Sequence, residues 1–150
     1  MDNNAITQME RELRFALKEE YSFYQSLYIT LDKQREAVKY NRDERLLDLF
    51  AEIERCHMRI RKSEEKVNAL RTKNPSAYRL AAAHPDIKKV VNSIATMIKK
   101  NMTLVAECEE YLQGRYRRIK QELGELKNSD KIMQYLSDPK PSPQFVDGKN

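Results

Sequence analysis

Three glycines serve the whole 150-residue chain, and three of its five prolines crowd into positions 139–143. Sheet proteins need a turn every ~8–12 residues, and Gly and Pro supply many of those turns. A chain with so few cannot be punctuated as a sandwich or barrel. Nor does it hold a glycine-rich loop of the kind that cradles phosphates. Charged residues make up 34% of the chain and hydrophobic ones 40%, against about 25% charged in an average domain. Helices with an apolar stripe and a solvated charged face satisfy both figures. The expected fold class is all-α.

Apolar spacing divides the chain into three long runs. Ile6, Met9, Leu13, Ala16/Leu17, Tyr24, Leu27/Tyr28, Leu31 and Val38 recur at steps of three and four, which predicts one helix over about 4–40. Asn41 suits a turn and Asp43 a new helix start. Leu46, Leu49/Phe50, Ile53, Cys56/His57, Ile60, Val67 and Leu70 give a second helix, about 43–73, ending before Asn74-Pro75. The short connection near Asn41 predicts an antiparallel hairpin. Pro75 opens a short helical piece toward Ala83, and Pro85 with Asp86 starts the third helix, about 85–127. Its stripe is Ile87, Val91, Ile94, Ile98, Met102, Val105, Cys108, Leu112, Tyr116, Ile119, Leu123 and Leu126. Gly114 and Gly124 each weaken it by about 1 kcal/mol relative to Ala.

No one of these segments can bury its stripe alone, so the expected architecture is an elongated antiparallel three-helix bundle or coiled coil over 1–127. The third helix is the longest, and its distal end is expected to overhang the others. Asn128-Ser129-Asp130 reads as a helix stop, followed by the apolar cluster Ile132, Met133, Tyr135 and Leu136 and then the proline-rich end. The segment 128–150 is accordingly expected to be a flexible tail.

The net charge of +5 is spread as −1 over 1–40, +3 over 41–83 and +3 over 84–127, with the tail balanced. Basic clusters occur at Arg55–Lys66 and Arg115–Lys120, but Glu52, Glu54, Glu64, Glu65 and Glu122 sit among them. A nucleic-acid footprint is a coherent basic face, so the mixture argues for solvated helix surfaces; a salt-sensitive nucleic-acid regulator is the weaker alternative. No run reaches the ~18 apolar residues of a membrane span, and the N-terminus lacks a signal peptide's basic and apolar regions. Together with two cysteines too few for a disulfide framework, this leads us to expect a cytoplasmic protein.

Catalytic and cofactor chemistry is not expected. Cys56 and His57 are adjacent in sequence, and consecutive helical residues point about 100° apart. His84 and Cys108 are distant from that pair, and Glu-x-x-His occurs once, as Glu54-Arg55-Cys56-His57, where a di-iron bundle needs the motif on two helices. Cys56 and Cys108 occupy apolar positions, where Cys behaves as a small hydrophobe. Tyr24 and Tyr28 read as core, whereas Tyr21 and Phe23 lie off the stripe and suit a contact surface.

Several stretches have the pattern of a known family. They are Leu17-Lys-Glu-Glu-Tyr21 with Tyr24, Leu27 and Leu31; Gln34-Arg-Glu-Ala-Val38; the break Asn41-Arg42-Asp43; Leu46-Leu47 and Ile53-Glu54-Arg55; and Ile98-Lys-Lys-Asn101 through Leu112. With the Tyr135 region and the proline-rich end, the chain resembles the FlgN-type chaperones of flagellar type III export. FliT, the sister family of filament-cap chaperones, has similar size and helix content. The resemblance implies a cytosolic helical chaperone without cofactor. It would hold late export substrates, the hook–filament junction proteins, and deliver them to the export gate. Joined to the residue pattern, it makes Leu112, Tyr116, Ile119, Leu123, Leu126, Ile132, Met133, Tyr135 and Leu136 the expected partner-binding residues. A cargo helix would zip onto them, helix in groove. The chain would be a monomer or a homodimer; a homodimeric coiled-coil scaffold using the same stripe is the alternative function.

Overall fold

The computed structural model describes residues 3–137; within its last turns the side chains of 129–132, Tyr135 and Ser137 fall outside the description. The fold is all-α, with no strand among the described residues. The helices are α1 (Asn3–Lys39), α2 (Leu46–Lys73), α3 (Pro75–Ala82) and α4 (Pro85–Ser137), and a 3₁₀ turn (Asp43–Arg45) leads into α2. The chain divides into two compact units, 1–111 and 112–150.

The connections follow local chemistry. α1 ends in a Schellman arrangement: Arg42 N–H donates to Ala37 O at 2.7 Å and Asn41 N–H to Val38 O at 3.3 Å. Asn41 takes the left-handed conformation this requires, with φ 57°. Asn74 caps α3 by accepting from Ala77 N–H at 3.2 Å, and Pro75 occupies the first helical position, where its missing N–H costs nothing. His84 plays a similar part for α4, its Nδ1 accepting from Asp86 N–H at 3.1 Å.

In the first unit, α1 packs against both α2 and α3. Ser63 donates to Ala16 O and Lys66 pairs with Glu19, while Cys56 and Ile60 meet Leu27 and Leu31, so α1 and α2 run antiparallel. α4 follows α1 in the same direction: Arg14 faces Asp86, Asn101 reaches Tyr24 O, and Arg35 binds Glu107. One buried cluster joins Met9, Leu13 and Leu17 to Ala77, Ala81, Ile87 and Ile94. Ala77 and Ala81 of α3 are wholly buried, and their small side chains let that helix lie close to its neighbours. A second cluster gathers Leu27, Leu31, Cys56, Ile60 and Leu104. At the far end Lys39 Nζ sits 5.4 Å from the Tyr40 ring and 5.9 Å from that of Tyr111.

Several expectations need correction. α4 does not stop at 128–130 but stays helical to Ser137. Asn, Ser and Asp are only mildly poor helix formers, so three in a row do not end a long helix. Of the expected flexible tail 128–150, residues 128–137 are therefore helical and 138–150 lie outside the described residues. The boundary between compact units falls at 111/112 rather than 127/128. The stripe of α4 also differs: Val91, Met102 and Val105 are exposed, while Asn101 and Leu104 are buried. Tyr21 and Phe23, expected on a contact surface, are half-buried against the two clusters. Phe50 is exposed and Leu49 buried in its place.

Two tests follow from these interactions. Asn41→Val, which crowds Cβ against the left-handed backbone, should lose about 1–2 kcal/mol in urea denaturation, and Asn41→Gly should match or exceed the parent. Glu20 is a buried carboxyl, and burial raises its pKa, with Glu64 adding to the rise and the Ser63 hydroxyl offsetting part of it. A folded pKa above the unfolded one means that folding binds protons. The stabilisation from this group is full below the ordinary carboxylate range and is lost as pH climbs through the raised folded value. Glu20→Gln should remove that slope and raise stability at neutral pH, read from urea midpoints on either side of the range.

Candidate protein-binding surface

The distal part of α4 repeats apolar side chains at steps of four and three: Leu112, Tyr116, Ile119, Leu123 and Leu126. This strict seven-residue period is the seam of a helix made to lie along another helix. In the structure the seam is uncovered, with relative exposures of 44%, 67%, 50%, 57% and 59% in that order. Full burial of one such side chain stabilises by about 1.5–3 kcal/mol, so roughly half of that is unrealised at each position. Met133 and Leu136 are also exposed, whereas the side chains of Ile132 and Tyr135 lie outside the described residues. Five of the expected residues therefore form one continuous row within the second unit. Met133, seven residues after Leu126, keeps the same register.

Charges border this row unevenly. By helical spacing Lys120 and Lys127 flank one side, and Arg115 and Glu122 the other. Gly114 and Gly124 lie within the helix, and a Cβ at either would meet nothing within 4 Å. Neither glycine is there to admit a close neighbour.

The first unit carries a second apolar surface that the sequence reading did not single out. A groove of about 580 Å³ opens between α1, α2 and α4. Leu27 and Leu31 form its floor, with Phe50 and Ile53 on the α2 side and Met102 and Val105 on the α4 side. Asn101 lines it as well: Nδ2 donates to Tyr24 O at 3.4 Å, while Oδ1 is buried and has no hydrogen-bond partner. The overlooked signal was in α4 itself. Ile87, Ile94, Asn101 and Cys108 fall seven apart and all are buried, so Met102 and Val105 belong to a neighbouring row.

Cys108 is buried, and burial followed by the Glu109 charge raises its thiol pKa, which disfavours the nucleophilic thiolate. Cys56 is buried while His57 is exposed and lines the groove. Among the described residues no group of three or more His, Cys, Asp or Glu side chains could hold a metal ion, and no helix is long and apolar enough to cross a membrane. No family model matches the chain, and neither a curated protein nor a solved structure matches it.

Because both glycines stand in open helix, Gly114→Ala and Gly124→Ala should each stabilise the distal segment by about 1 kcal/mol. Amide hydrogen exchange over 112–137 should slow in both variants. Exchange unchanged by either would contradict a helical distal segment.

Proposed function

We propose that this protein is a non-enzymatic helix-binding chaperone acting in the cytoplasm. The first unit serves as an antiparallel three-helix bundle, and the distal seam of α4 captures an amphipathic helix of a client protein. The observation that carries the reading is the uncovered row at 112, 116, 119, 123 and 126, kept in one heptad register over four turns of helix. A row of this spacing is poorly suited to solvent and well suited to a second helix, whose own apolar face it would cover. Covering the client's face keeps it from associating with itself. The interface is a single seam, so release needs no large rearrangement.

The client class comes from the resemblance to FlgN-type chaperones: hook–filament junction proteins, held through a terminal helix and passed to export-gate components. Lys120 and Lys127 beside the seam favour a client helix with acidic residues flanking its apolar positions.

Calorimetric titration of the full chain with the terminal helical segment of a junction protein tests the proposal. A one-to-one complex is expected, weakened at least about tenfold by Ile119→Asp or Leu123→Asp. Both positions are half exposed, so circular dichroism should show the helical fold intact. Ending the chain after Lys127 removes Ile132, Met133, Tyr135 and Leu136 and should cost a further part of the affinity. No binding by the full chain, or binding unaffected by either seam variant, would overturn the assignment.

A further inference from the structure

The groove of the first unit and the seam of the second are each apolar and each uncovered, and they match in three respects. The first is length. The α4 wall of the groove runs from Ile98 to Glu109, a rise of about 17 Å, and the seam from Leu112 to Leu126 rises about 21 Å. The second is charge. Glu109 lines the groove, and no lining residue is Lys or Arg. The seam is bordered by Lys120 and Lys127. The third is a hydrogen bond. Asn101 is 6% exposed and its Oδ1 is an acceptor without a donor. Among the five seam residues Tyr116 alone carries a side-chain donor.

We infer that two copies of this chain associate reciprocally, the 112–126 seam of each lying in the α1/α2/α4 groove of the other. Each copy offers one groove and one seam, so a two-fold arrangement uses both twice and closes on itself. The Tyr116 hydroxyl of one copy donates to Asn101 Oδ1 of the other, and the lysines beside the seam meet Glu109 at the groove. A dimer made seam against seam would set like charges together at Lys120 but would also pair Glu122 with Lys127 or Arg115, so it is the competing arrangement, and Met102→Glu would leave it intact. The inference does not rest on the client-binding reading, although a client helix on the seam would compete with the dimer.

Sedimentation equilibrium of the full chain tests this with two variants at exposed positions, Met102→Glu in the groove and Leu123→Glu on the seam, 65% and 57% exposed in the parent. The parent should dimerise. Each variant alone should dissociate at least about tenfold more readily, because each breaks both interfaces of its own dimer. An equimolar mixture should recover heterodimers, since one sound seam then meets one sound groove. Tyr116→Phe should weaken the parent dimer several-fold. A parent that is monomeric at every concentration overturns the inference, as does a dimer sensitive to Leu123→Glu but not to Met102→Glu, or a mixture that recovers nothing. Client titration with Met102→Glu separates the two readings, because client capture needs the seam and not the groove.

Discussion

The register of α4 is the constraint on which the rest of the structure depends. Ile87, Ile94, Asn101 and Cys108 are seven residues apart, and all four are buried. Leu104 adds a buried position between them and packs against Leu27, Leu31, Cys56 and Ile60. An α-helix turns 3.6 residues at a time, so a row of period 3.5 winds slowly around it and holds to a neighbour only if the two helices wind together. Once this row faces α1, the adjacent row that includes Met102 and Val105 necessarily turns toward solvent. The open groove of the first unit is a geometric consequence of that choice.

Polar contacts keep the choice in place. Asn101 is set opposite Tyr24 O, a buried amide that would lose its partner under a shift of register. Arg35 binds Glu107 at 2.8 Å and Asp32 at 2.7 Å, tying α1 to α4 a little further along. The hydrogen bond to Glu107, with the surrounding carboxylates, holds the guanidinium pKa above its ordinary value. The pair is partly exposed, so its contribution to stability is modest, about 1 kcal/mol or less. Its importance lies in direction: a one-residue slip of α4 would separate it. Lys39 against the Tyr40 and Tyr111 rings closes the same end.

Beyond Tyr111 the helix has no such row to bury. The positions that continue the buried heptad are Arg115 and Glu122, both charged, while apolar residues collect on the neighbouring row instead. The division of the chain at 111/112 therefore coincides with a change in which row is apolar. A helix that switches rows in this way cannot continue the packing of its first half. Its second half keeps an uncovered apolar row, and both the client-binding and the reciprocal-dimer proposals start from that switch.

The amino-acid sequence by itself determined the helical class and the breaks between α1, α2, α3 and α4, though not the far end of α4, which runs through Asn128-Ser129-Asp130 to Ser137. Asn41, Asn74-Pro75 and Pro85 act through their own backbone preferences, so their effect is local and legible. The uncovered distal row was legible for a similar reason: its five residues keep strict spacing, and the excess length of the third run left them without partners. Tertiary structure alone decided which apolar row of α4 goes inward over 87–108. Two rows lie side by side there, both compatible with steps of three and four, and only the facing surfaces of α1, α2 and α3 select between them. That selection exposed Met102, buried Asn101 and opened the groove, none of which a periodicity count can distinguish, because burial belongs to a pair of surfaces and periodicity to one.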